Sequence, residues 1–139
     1  MIPFCGRTKH KVKMKNKPID EGYKVWALAQ QGYTLSWRWH SREEGPEGVS
    51  KGLQVPQIEP FPPVILAPTF AVVIILARDL RAAFPIQKFH LFLDNLFLNV
   101  PMVHCLLHLN ILCTGTTRKN ATGIPEWLVE LKDQNRTLI

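Results

Sequence analysis

Asp94 is the residue whose type and place most directly offer chemistry. It follows the apolar run Phe89-His90-Leu91-Phe92-Leu93, which reads as a buried strand. A carboxylate at the carboxyl end of such a strand faces the crevice where α/β sheets place ligands. A local role is equally open, because an Asp after a strand can simply accept backbone N–H groups in the turn that follows. His104 and His108 are one helical turn apart, so their rings could share a metal, with Cys105 beside them and Cys113 beyond. No Glu stands between them as in the zinc-protease pattern, and no spaced cysteine pair completes a set. The residues therefore favour two histidines on the outer face of an amphipathic helix. No Ser or Cys is set in a nucleophile elbow, and Gly115 lacks partners at the spacing of a phosphate-cradling loop.

A second pattern is electrostatic. Arg7, Lys9, Lys11, Lys13, Lys15 and Lys17 take alternate positions with no acid among them. In an extended chain all six charges fall on one face, about 6.6 Å apart, a spacing that suits a run of phosphates, whereas a helix scatters them. A solvated arm whose charges avoid one another explains the same residues, and the pattern does not choose between the two. The chain of 139 residues carries 17 Lys and Arg against 11 Asp and Glu. From Pro18 onward the signs balance at eleven each, so the whole net charge of +6 belongs to the first 17 residues.

The elements that must position these residues follow from periodicity. Val25, Ala27 and Ala29 alternate with Trp26 and Leu28; after Gln30-Gln31-Gly32, the set Tyr33, Leu35, Trp37 and Trp39 alternates with Thr34, Ser36, Arg38 and His40. This predicts a hairpin over 22–40, with Trp37 and Trp39 on its core face; base stacking is the other use of that face. Residues 41–66, with Glu43, Glu44, Glu47, three clustered glycines and prolines thickening toward the end, read as a surface loop. Pro68 suits a first helical turn, and Thr69 to Ala83 is apolar nearly all round, so a buried helix is expected; its β-branched residues leave a strand as the alternative. After the Asp94 strand, Asn99 can cap a helix begun by Val100 and Pro101. A short strand, Ile111 to Thr116, and a last helix opened by Ile124-Pro125-Glu126-Trp127-Leu128 complete 67–139 as helix, strand, helix, strand, helix. Strand, helix, strand is the order of a parallel α/β layer.

Composition bounds the class. With 46% hydrophobic and 20% charged residues the chain is globular rather than disordered, and its length argues for one domain or part of one, not a multidomain enzyme. Cys5, Cys105 and Cys113 are an odd number, and no secretory leader opens the chain. The expected location is nuclear or otherwise intracellular, not secreted, and the Asn120-Ala121-Thr122 and Asn135-Arg136-Thr137 triplets are then chance matches to a glycosylation signal. The uncharged stretch from Pro60 to Ala77 reaches the roughly 18-residue threshold for a spanning helix. Pro60, Pro62, Pro63 and Pro68 interrupt it, so no membrane partner is expected.

Several blocks, in order and spacing, resemble the catalytic domain of piggyBac-type transposases and the cellular proteins derived from them. They are Phe4-Cys5-Gly6-Arg7, Lys15-Asn16-Lys17-Pro18 with Gly22-Tyr23-Lys24-Val25-Trp26, Phe92-Leu93-Asp94-Asn95-Leu96-Phe97-Leu98-Asn99-Val100-Pro101, and Gly115-Thr116-Thr117-Arg118-Lys119-Asn120 with Ile124-Pro125. The resemblance covers nearly the whole chain and is weakest from Ser41 to Pro63. It implies an incomplete ribonuclease H-like α/β domain, a mixed sheet with flanking helices whose first central strand is missing. It also implies chemistry by three aspartates that hold two divalent metals, usually Mg²⁺, for DNA cleavage and joining.

Asp94 matches the second of those aspartates by its Asp-Asn-Leu-Phe context and is the expected catalytic and metal-ligating residue. The first aspartate is expected just before Met1 and the third beyond Ile139; Asp20 and Glu21 match neither. One carboxylate cannot hold two metals. The chain is therefore expected to bind no Mg²⁺ stably and to be catalytically inactive alone, a transposable element-derived remnant that binds DNA weakly and without sequence preference through Arg7, Lys9, Lys11, Lys13, Lys15 and Lys17. The alternatives are a subunit of a metal-dependent nuclease or recombinase completed by another chain, and a domesticated interaction protein. No oligomeric state follows from the residues.

Overall fold

The computed structural model describes residues 1–41, 45–46 and 68–136, and places them in two compact units. The first unit holds β1 (Ile2–Pro3), β2 (Val12–Lys13), β3 (Glu21–Tyr23), β4 (Val25–Gln30), β5 (Tyr33–Ser41), β6 (Gly45–Pro46) and helix α1 (Pro68–Ala83). The second holds β7 (Phe89–Leu93), α2 (Val100–His108), β8 (Ile111–Gly115) and α3 (Glu126–Arg136). Most of the loop expected over 41–66 lies outside the described residues.

The hairpin forms where alternation and turn chemistry agree. Gln31 and Gly32 have φ of 50° and 82°, the pair of left-handed residues that a two-residue turn needs to match the twist of its strands. The expected faces are altered by one irregularity. Trp37 pairs with Ala27 and Tyr33 with Gln30, and the register shifts between Leu28 and Ala29. Ala27 and Gln30 lie on opposite faces of β4, so Trp37 and Tyr33 do too: the four-residue set read as one face is split by a bulge.

Helix α1 then covers the other face from the one expected. Its Ala71, Val72 and Leu76 pack with Trp26 and Leu28. Trp37 stays 54% exposed and Tyr33 72% exposed. The helix selects the face because Asp79, one of its few polar residues, is met there by the Arg38 guanidinium at 2.6 Å and by the Ser36 hydroxyl, which donates at 3.0 Å. Turning the hairpin over would take both partners from the half-buried Asp79 carboxylate and part α1 from Trp26 and Leu28. Apart from that carboxylate, α1 is as apolar as expected, with Ala71, Val72, Val73, Ile74, Leu76, Ala77 and Leu80 all buried, and it is a helix rather than a strand.

In the second unit β7 and β8 pair in parallel, Phe89 opposite Ile111 through Leu93 opposite Gly115, and α2 lies against β8. Met102, Leu106 and Ile111 are fully buried, with Leu91, Leu98 and Cys105 nearly so. Asn99 caps α2 as expected, its side chain accepting the Met102 N–H at 2.8 Å, with a proline in the first turn. Strand β7 is not buried on both faces. His90 stacks on Phe92 with ring centroids 4.9 Å apart, both exposed, and meets the Thr114 hydroxyl across the ladder at 2.7 Å. With two paired strands and one helix against them, alternation buries Leu91 and leaves its neighbours outside.

His40 makes the first unit sensitive to acid. Its ring meets Trp26 edge-on at 5.8 Å, the Lys24 ammonium sits 4.0 Å over that same indole, and the buried Nδ1 has no hydrogen-bond partner among the described residues. Burial, and secondarily the Lys24 charge, hold the His40 pKa below its ordinary 6.5. The folded state therefore favours neutral His40, and the unfolded chain takes up the proton first as pH falls. The contribution is complete above about pH 6.5 and is lost on acidification below it. Urea unfolding between pH 7.5 and 5 should show falling stability, and His40→Gln should flatten that fall.

Candidate functional site

The carboxyl ends of β7 and β8 bring two sequence-distant blocks together. Asp94 follows β7 directly and is exposed. Its Oδ1 accepts the Asn95 N–H at 2.6 Å, while its carbonyl accepts the Phe97 N–H at 2.9 Å and closes a turn. The local role weighed for Asp94 is thus real, but it engages one carboxylate oxygen and leaves the group at the mouth of the parallel pair.

Beside it, β8 ends at Gly115, opposite Leu93. A methyl group on Gly115 would fall on the Leu93 carbonyl oxygen, so the close approach of the two backbones depends on a residue without Cβ. The chain then crosses to the start of α2. Thr117 donates its hydroxyl to the Leu98 carbonyl at 3.3 Å, and the Val100 N–H reaches the Thr122 carbonyl at 3.4 Å. Gly123, with φ of 85°, lies so close that a Cβ would sit 2.8 Å from that of Val100. Between these anchors Arg118, Lys119 and Asn120 are exposed, and the Ala121 N–H turns back to the Arg118 carbonyl at 3.0 Å. The result is that the Asp94 turn and the loop carrying Arg118 and Lys119 leave one strand pair at its carboxyl ends.

A profile of the family described as Transposase IS4 matches residues 1–139. The chain belongs to this transposase family. The piggyBac-type resemblance holds in structure as well: a cryo-EM structure of the piggyBac transposase synaptic complex with hairpin DNA superposes with a TM-score of 0.61 at 22% identity, over 90% of this chain and 23% of that one. At that identity the likeness speaks for the fold, a mixed α/β arrangement with small sheets. The chain spans about a quarter of the length of that transposase. A search of curated proteins finds no match.

Within this transposase-family domain, the two most specific sequence blocks, Asp94-Asn95-Leu96-Phe97 and Gly115-Thr116-Thr117-Arg118, are the two that the structure joins. The histidine reading does not gather: His108 is exposed, His104 half-buried, Cys105 buried, and burial pushes the Cys113 thiol up in pKa. Among the described residues no three His, Cys, Asp or Glu side chains approach closely enough to hold an ion. Asp94 alone therefore does not fit a two-metal centre, whose donor set needs further carboxylates. No described helix is long and apolar enough to cross a membrane.

The basic run is not the straight arm that alternation suggested. It turns at Lys9-His10 and again at Lys15-Asn16, where Asn16 has φ of 66°, and only Val12–Lys13 is strand, paired with Glu21–Tyr23. Lys11 is half-buried and bonded to Glu21 at 2.5 Å, a contact that holds the Glu21 carboxyl below its usual range. Arg7, Lys9, Lys13, Lys15 and Lys17 remain exposed. The acid that pairs with Lys11 lies beyond the run itself, and only the antiparallel register brings it there.

The strand closure yields a direct test. Gly115→Ala should destabilise the chain by about 2 kcal/mol or more, because a methyl cannot be placed without parting β7 from β8. Thr117→Val, which removes one half-buried hydrogen bond, should cost about 1 kcal/mol. Urea midpoints of the two variants against the parent chain decide the order.

Proposed function

We propose that this chain is part of a ribonuclease H-like catalytic domain of a piggyBac-type transposase, that it binds DNA without sequence preference, and that it does not cleave DNA by itself. The observation that carries the reading is the parallel pairing that ends β7 at Leu93 opposite Gly115 of β8, so that the turn opened by Asp94 and the Gly115 to Asn120 loop leave the strand pair at the same end. Asp94 is the second of three metal-holding aspartates in this reading. The other two come from polypeptide outside these 139 residues, and Mg²⁺ is held stably only when they are supplied. With those carboxylates supplied, the ions would provide Lewis-acid activation of an attacking oxygen and stabilisation of a leaving one. Asp94 contributes one carboxylate to that set, and the Asn95 N–H fixes its rotamer.

DNA is bound chiefly through phosphates. The exposed Arg7, Lys9, Lys13, Lys15 and Lys17 supply the attraction, while Lys11 is neutralised by Glu21 and braces the run. The turns at Lys9-His10 and Lys15-Asn16 keep the charges from forming one straight extended face. A nuclear location accords with a DNA-handling origin.

Two measurements check this. The purified chain with Mg²⁺ or Mn²⁺ and transposon-end DNA should show no cleavage; cleavage that Asp94→Ala abolishes would overturn the claim of inactivity alone. Duplex binding measured across salt should give a slope of roughly −4.5, from about −0.9 per contact for five contacts, with Lys15→Ala lowering its magnitude by about 0.9. Salt-independent binding would remove the phosphate-contact reading.

A further inference from the structure

Within the first unit, the hairpin face turned away from α1 carries a row of aromatic rings. Phe4 stacks at 4.7 Å on Tyr23, and Tyr23 at 4.7 Å on Trp39, with tilts of 34° and 43°. Trp37 lies on the same face as Trp39, since their partners Ala27 and Val25 are two residues apart on β4. The positions of Trp37 and Trp39 are about 6.8 Å apart along the strand, close to twice the ~3.4 Å rise of stacked bases. Trp37 is 54% exposed, an unusual cost for an indole that has the alternative of burial. At its other end the row comes close to the basic run: Phe4 stands three residues before Arg7, and Val12–Lys13 pairs with β3 beside Tyr23.

We infer that this aromatic face is a stacking platform for unpaired bases of single-stranded DNA, with Trp37 as the open ring and the exposed cations of residues 7–17 taking the phosphates. The chemistry commits to this occupant. An apolar protein partner would be served by the rings alone, but five exposed cations at the end of the row complement a polyanion. Every base has a π-face, so rings beside a basic track hold single strands whatever their sequence, whereas a duplex hides its base faces within the stack. The Asp79 clamp with Arg38 and Ser36 holds the opposite face of the hairpin on α1 and so leaves these rings outward.

This inference rests on the DNA-binding reading, and the experiment separates the two. Binding of the 139-residue chain to a 15-nucleotide oligothymidine and to a duplex of equal length is measured by fluorescence anisotropy. Trp37→Ala should weaken single-strand binding about tenfold and leave duplex binding within twofold. Trp37→Phe, which keeps a ring, should lose less than threefold, and Trp37→Leu, which keeps apolar bulk without a ring, should behave as Ala does and replaces it should Ala not fold. Equal weakening of both ligands, or no change in either, overturns the platform while leaving phosphate contact intact. Self-association that Trp37→Ala abolishes, with single-strand binding unchanged, assigns the face to a second copy and also overturns it. Absence of binding to either ligand removes the DNA reading and this inference together.

Discussion

The candidate site depends on the contact between the Gly115 and Leu93 backbones. Parallel strands need a crossover to join them, here α2, and their carboxyl ends are where such a layer can offer side chains to a ligand. That opening is useful only if both strands end together. A hydrogen atom in place of a methyl at Gly115 lets β8 run against β7 to its last residue, and the Thr117 and Thr122 bonds then fasten the following loop to the start of α2. The Asp94 turn and the loop that carries Arg118 and Lys119 leave the strand pair at the same end because of that closure, although more than twenty residues separate the carboxylate from the cations. The Asn99 cap serves the same end by holding the entry to α2, which also anchors the loop.

In the first unit the organising contact is polar. Asp79 sits on an otherwise apolar helix and draws the Ser36 and Arg38 face of the hairpin toward it. Hydrophobic burial does not decide between the faces by itself, since Trp37 and Trp39 stand on one and Trp26 and Leu28 on the other. The two hydrogen bonds to the half-buried Asp79 carboxylate favour the face that carries Ser36 and Arg38. The aromatic rings are displaced to the outer face, where Trp39, Tyr23 and Phe4 recover part of the lost burial by stacking on one another and Trp37 does not.

Much of this was legible in the residues. A hairpin, running from Val25 to Ser41 rather than over 22–40, the helix beginning at Pro68, the Asn99 cap, the strand before Asp94 and the strand from Ile111 follow from alternation, proline placement and capping chemistry, all local effects. What escaped the pattern was pairing. The period-two set from Tyr33 to Trp39 gives no sign of a bulge, which arises from how β5 meets β4. Alternating lysines suggest one extended charged face, but Lys11 is drawn to Glu21 by the β2 and β3 register, and backbone turns bend the rest. The Asp79 clamp carried a faint signal, a lone carboxylate inside an apolar helix, with no indication of which strand face would answer it.

The sequence by itself determined the identity of the elements, the concentration of positive charge before Pro18, and membership of a transposase family, because these reside in residue order and composition. The tertiary structure decided which face of the hairpin is covered, which lysine is neutralised, and that the Asp94 and Gly115 blocks adjoin. Each of those outcomes is a contact between residues distant in the chain, settled by the cost of leaving a charge unpaired or by the room available to a backbone, and neither quantity exists until the strands have paired.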